Sequence, residues 1–215
     1  VTLTIPKPPP LSAHRELSRF APGRAFVPFL LANGLHWAAI VVMNIYLSLH
    51  LRDEGMAAWV PGVAVGVAIA AEALAFGTAG RFLRDRNAMR WYLAVCGLGA
   101  LRWLITAAAP SELVVVAVQL LHFLSFGVWF TLAIRLLGRF APLERRATLQ
   151  GVFSAACFGG GGRLGSVAGG CVMDVAAGPG AFVFGAGLEL AALAVFAIAW
   201  RVLPAEPPTE ELRAR

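Results

Sequence analysis

The chain has 215 residues, of which 59% are apolar and only 14% charged, with a mean hydropathy of +0.73, a balance that excludes an ordinary water-soluble domain. Its net charge of +6 comes from Arg residues scattered over connections and helix ends with no continuous basic groove, so nucleic acid is not an expected partner and anionic lipid headgroups are. Cys96, Cys157 and Cys171 lie in or at the end of apolar stretches with no CxxC or Cys/His spacing, so they read as packing residues, and no metal or cofactor is expected.

Residues 1–25 carry Pro6, Pro8, Pro9 and Pro10 with Lys7, Arg15, Arg19 and Arg24 and read as a cytoplasmic proline-rich linker. They lack the apolar core and small-residue cleavage site of a signal peptide. The first residue is Val, which leaves an alternative start codon or a piece of a longer protein. A membrane span needs about 20 mainly apolar residues to cross a hydrocarbon core of about 30 Å. Six such stretches follow: about 26–49, 59–80, 91–109, 113–137, 148–173 and 180–203. They are apolar on every face, unlike the short alternating strands of a barrel, and predict an all-α membrane protein of six transmembrane helices. Residues 204–215, with Pro204, Pro207 and Pro208, read as a cytoplasmic tail.

Orientation follows from the Arg residues, which are retained on the cytoplasmic side when they sit in short connections. Arg81, Arg84, Arg86 and Arg90 lie between the second and third stretches, and Arg139, Arg145 and Arg146 between the fourth and fifth. The opposite connections hold Arg52 beside Asp53 and Glu54, then Glu112, then Asp174. Both ends are therefore expected in the cytoplasm, in a multi-pass protein of the cytoplasmic (inner) membrane.

Function is sought among polar residues inside the stretches, because each costs about 2.5–3.5 kcal/mol at a helix centre unless it is paired or faces water. In chain order these are Asn33, His36, Asn44, Glu72, Arg102, Gln119, His122, Gln150, Arg163 and Glu189. At about 1.5 Å of rise per residue, Glu72 falls roughly 12 Å, Arg102 roughly 17 Å and His122 roughly 17 Å from the cytoplasmic boundary. His36 and Glu189 come out at roughly 15 and 16 Å. A carboxylate, a guanidinium and an imidazole at one level suit a proton-linked site, in which Arg holds Glu ionised and His changes charge near neutral pH. Glu72 and Arg102 also fit a structural ion pair, and His122 a plain interhelical hydrogen bond. Glu189 has no evident basic partner on a neighbouring helix and reads as structural.

The run from Gly159 to Gly170 repeats small residues every four positions, as Gly161, Gly165 and Gly169, which predicts a helix face that a partner helix approaches closely. It does not follow a strand, so it is no phosphate loop. Arg163 within it is expected to reach the outer surface or a cavity. No GxSxG, no HExxH and no paired intramembrane aspartates occur, so catalysis is not expected.

Three segments carry a resemblance: Ala71-Glu72-Ala73 leading to Arg81-Phe82-Leu83-Arg84-Asp85-Arg86, then Leu101-Arg102-Trp103-Leu104, then Gln119 to Gly127 with His122. Together they resemble the C-terminal half of a major facilitator superfamily transporter, closest to the branch of 3-phenylpropionate transporters and lactose-permease-like proton symporters. The resemblance implies helices one and four lining a cavity, two and five facing a second half, and three and six outside. It assigns Glu72, Arg102 and His122 to binding a small organic solute (an aromatic acid, a nucleoside or a sugar) and to proton coupling; Gln119, His36 and Asn33, polar residues inside the spans, are further candidates for the same roles. In that branch an acidic residue stands one turn after the His; here the position is Ser125. A whole transporter of this kind has two six-helix halves, so the expected partner is an N-terminal half or a second copy of the chain. A six-span substrate-binding or interaction module without transport is the alternative.

Overall fold

The computed structural model describes residues 23–109, 111–140 and 145–203; the expected linker, apart from Gly23 to Ala25, and the expected tail lie outside them. Among these residues there is no strand, and five helices are long and apolar enough to cross a membrane. They are α1 (Phe26–Asp53), α2 (Val60–Phe82), α3 (Ala88–Ala108), α4 (Glu112–Leu137) and α5 (Arg146–Arg201).

Local chemistry accounts for the boundaries. Pro61 sits in the first turn of α2, where its missing N–H is no loss. A 3₁₀ turn at Asp85–Asn87 separates α2 from α3, and α3 stops at Ala109 in a left-handed conformation (φ 39°). At the start of α4, the Glu112 carboxylate accepts the Ala57 N–H at 2.8 Å, tying the α1–α2 connection to the α3–α4 turn.

The fifth and sixth expected helices are not separate elements, because α5 runs continuously through 56 residues. Kept straight it would be about 84 Å long, nearly three times a hydrocarbon core of about 30 Å. It is not straight. Ala177 has φ 53° and ψ −165° inside the helical run, two residues before Pro179, and the two arms on either side fold back along α1. Gly165 on the first arm backs onto Ala38, and Gly185 on the second onto Ala39.

Gly161 and Gly165 meet the α1 backbone at Gly34 and Ala38, and Gly169 meets Val42 and Tyr46. The close partner of this small-residue face is thus α1 of the same chain. A Cβ on Gly165 would collide with the Ala38 carbonyl, which cannot move aside as a flexible side chain would. Gly165→Ala is therefore expected to lower stability by about 1–3 kcal/mol, read as thermal unfolding in detergent. Gly97→Ala, where a Cβ meets nothing within 4 Å, serves as the neutral control.

Burial is inverted relative to a water-soluble bundle. Asn33, His36, Arg102, Gln119, Ser125 and Glu189 are fully buried, while Leu74, Val167 and Val175 are 60%, 65% and 85% exposed. An apolar exterior around a polar interior is the distribution that a hydrocarbon solvent selects. Arg163 points outward from α5.

Candidate functional site

The interior polar residues form one connected chain across the bundle. At its centre is the guanidinium of Arg102, contributed by α3. A guanidinium has five N–H groups in a rigid fork, and all five have acceptors. Nε and Nη2 donate to Gln119 Oε1 at 3.2 and 2.5 Å. Nη1 donates to His122 Nδ1 at 2.9 Å and Ser125 Oγ at 2.8 Å, and Nη2 also reaches Met43 Sδ at 2.6 Å. Every acceptor is neutral, and among the described residues no carboxylate lies within ion-pair distance of Arg102.

These contacts set the state of His122. Because Nδ1 accepts from Arg102, the proton of the neutral ring sits on Nε2, which faces Glu72 Oε2 at 3.5 Å. The expected Glu72–Arg102 ion pair is therefore corrected: His122 stands between the two groups, and Glu72 keeps 27% of its side chain exposed. Glu72 is brought to His122 by the close approach of α2 to α4, where the missing Cβ of Gly127 leaves room for Ala75 and puts the Glu72 carbonyl 3.2 Å from that position.

His36, on α1, belongs to a second group. Its Nδ1 lies 2.6 Å from Glu189 Oε2 and its Nε2 lies 2.6 Å from the Ser125 carbonyl. The reading of Glu189 as a carboxylate without a basic partner is thereby corrected, since its partner comes from α1, 153 positions away in sequence. Trp103 Nε1 also donates to Glu189 Oε1, at 3.3 Å, and a Cβ on Gly99 would stand 2.8 Å from that oxygen. Gly99→Ala is expected to displace the carboxylate and destabilise the protein by about 1–3 kcal/mol. Pairing it with Glu189→Asp, which shortens the side chain, should recover part of the loss in thermal unfolding.

The helix α4 is adapted to join the two groups. Its residues Phe123–Val128 form a π-helical turn, an irregularity often found at functional sites. The Trp129 N–H, which in a regular α-helix would bond the Ser125 carbonyl, bonds Leu124 and Phe126 instead. That leaves the Ser125 carbonyl for His36, while the Ser125 hydroxyl serves Arg102. Asn33 holds the flank: its Oδ1 accepts from Trp129 Nε1 at 2.8 Å, and the Trp129 ring lies 4.7 Å from the His36 ring.

Of the residues singled out in the sequence, Arg102, Gln119 and His122 are in direct contact, Glu72 joins through His122, and His36 joins through Ser125. Asn33 reaches the group only by way of Trp129. Sequence reasoning missed Met43, Trp103 and Cys96. Cys96, His36 and Glu189 offer donor atoms all within 4.8 Å of one another, a set that sequence spacing could not disclose. A metal bound at about 2.0–2.2 Å to both nitrogen and oxygen in tetrahedral geometry would hold them more than 3 Å apart. The 2.6 Å His36–Glu189 separation fits a hydrogen bond instead.

Residues 16–184 match the model of the MFS_1 like family. No curated protein and no solved structure matches the chain.

Proposed function

The chain belongs to the MFS_1 like family, and on that premise we propose that it is the C-terminal half of a twelve-helix secondary transporter for a small organic solute, driven by protons. It is a multi-pass membrane protein of a transporter-type family. In the proposed arrangement the chain crosses the cytoplasmic membrane six times with both ends inside, the two arms of α5 on either side of Ala177 making separate crossings. An N-terminal half, or a second copy of the chain, completes the pathway.

The observation that carries the reading is Arg102: a permanent positive charge, fully buried, whose five N–H groups meet only neutral acceptors. A buried charge without a counter-charge is strongly disfavoured unless something supplies one. A solute carboxylate would do so, displacing the weakest acceptor, the Met43 thioether. Among the aromatic-acid, nucleoside and sugar classes, this favours the acid, and Trp37 and Phe126, whose rings lie 5.7 Å apart, offer apolar faces beside it. Gln119 and His122, bonded to Arg102, and Glu72 beside His122 complete the solute site.

Membrane vesicles carrying the chain, with and without a co-expressed N-terminal half, test this against a labelled aromatic carboxylate, a nucleoside and a disaccharide. Uptake of the carboxylate supports the reading. Binding without uptake in every combination supports a substrate-binding module instead. Single cysteines at Arg84 and Gly138 should label from the cytoplasmic side, and those at Glu54, Ser111 and Asp174 from the other; Asp174 labelled from the cytoplasm would contradict six crossings.

A further inference from the structure

The pair His36–Glu189 has a proton count that its neighbours dictate. His36 Nε2 faces the Ser125 carbonyl at 2.6 Å, and a carbonyl only accepts, so Nε2 carries a hydrogen. His36 Nδ1 faces Glu189 Oε2 at 2.6 Å, so one more hydrogen lies between ring and carboxylate. Glu189 Oε1 already accepts from Trp103, and the Cys96 sulfur lies within 4.8 Å of the carboxylate. Either way of dividing it, the pair holds one proton beyond a neutral imidazole and a carboxylate, in a place with no exposure at either side chain.

We propose that the His36–Glu189 pair, coupled through Ser125 to Arg102, is where this protein carries the proton that accompanies its solute; this rests on the transport reading above. With the proton in place, Glu189 is neutralised by His36 and Arg102 is left for a solute anion. When the pair opens to water, His36 gives its Nδ1 proton to water and becomes neutral, and Glu189 remains as an unpaired carboxylate. The cation joined to the pair is Arg102, which bonds the hydroxyl of the same Ser125 whose carbonyl faces His36. Glu189 then competes with the solute for the same charge, so proton and anion bind together and leave together.

The titratable and charged groups around the pair are Tyr92, Cys96 and Arg102 on α3, and His122 on α4 with Glu72 of α2 beyond it; Cys157 on the first arm of α5 lies beyond Tyr92. Arg102 donates to His122 Nδ1, so His122 carries its ring hydrogen on Nε2 toward Glu72; the His36–Glu189 pair is the contact that shares a hydrogen with no exposure on either side.

The test uses the full chain with ¹⁵N-histidine in lipid nanodiscs, titrated from pH 5 to 10. The expected result is a His36 signal with both nitrogens protonated at the acid end that passes reversibly to one protonated nitrogen. The signal is assigned by its loss in His36→Gln, and its doubly protonated form is absent at pH 7 in Glu189→Gln. The total tryptophan fluorescence of the wild type, to which Trp129 beside His36 and Trp103 bonded to Glu189 contribute, should follow the same step. His36 doubly protonated across the whole range would mark a fixed structural ion pair, and His36 singly protonated throughout would mark no proton site; either overturns the proposal. Both are read on the wild type, so a variant that misfolds does not remove the test. Carboxylate uptake with a non-titrating His36 would sink the proton site alone, whereas a titrating His36 without any uptake would sink the transport reading on which it rests.

Discussion

Replacing Arg102 by Gln is expected to reduce solute uptake by at least about 30-fold, the lower end of a loss of about 2–5 kcal/mol on truncating one side of a buried charged contact at about 1.4 kcal/mol per tenfold. The substitution removes the one buried guanidinium on which the anion site is built. It also strands Gln119 Oε1, His122 Nδ1 and Ser125 Oγ, three acceptors that Arg102 serves on α4. Arg102→Lys separates these two effects. Lys keeps the charge but has three donors at a single point and cannot span the fork, so it should restore part of the uptake and little of the α3–α4 coupling. Initial uptake rates in vesicles and thermal midpoints in detergent read the two effects independently. Uptake by the Gln variant equal to the wild type would remove Arg102 from the site.

The second large effect concerns stability. Replacing either His36 or Glu189 by Leu breaks a fully buried pair and leaves the other member without its 2.6 Å partner, which costs about 3–5 kcal/mol. The double replacement His36→Leu with Glu189→Leu removes both charges together, and its effect should fall well short of the sum, by about 2 kcal/mol or more. This lies within the interaction energies seen for residues in contact. Denaturant unfolding in mixed micelles gives the cycle. Additive losses would mean that the 2.6 Å contact carries no coupling.

The helical spans were legible because the solvent imposes them: twenty apolar residues in succession admit few other structures. The division at residues 173–180 was read as the gap between two apolar stretches, with Asp174 in it, whereas helical hydrogen bonding persists through it and only the Ala177 dihedrals mark the break. Depth arithmetic placed Arg102 and His122 at one level, and they do touch. The same arithmetic put His36 and Glu189 within about 1 Å of each other in depth, a signal of pairing that was present but unused, since depth does not tell which helices adjoin. What no local pattern could disclose was the role of His122 between Glu72 and Arg102, which depends on the α2–α4 approach at Gly127. The π-helical turn that frees the Ser125 carbonyl has no clear sequence signature either. The glycine face of α5 announced a close partner helix, yet periodicity says nothing about which helix; α1 of the same chain takes that place.

Transport driven by protons through this site makes a thermodynamic demand that binding does not. The measurement is the steady-state ratio of a free labelled aromatic carboxylate inside and outside sealed vesicles bearing the chain and its N-terminal half, under an imposed pH difference. The carboxylate is one that does not enter protein-free vesicles at the same pH difference. For one proton per solute the ratio should rise above one and change by about tenfold per pH unit, since each tenfold is about 1.4 kcal/mol of driving force. It should collapse on adding a protonophore. A ratio that stays at one whatever the pH difference, or retention proportional to the amount of protein rather than to the enclosed volume, would contradict the account.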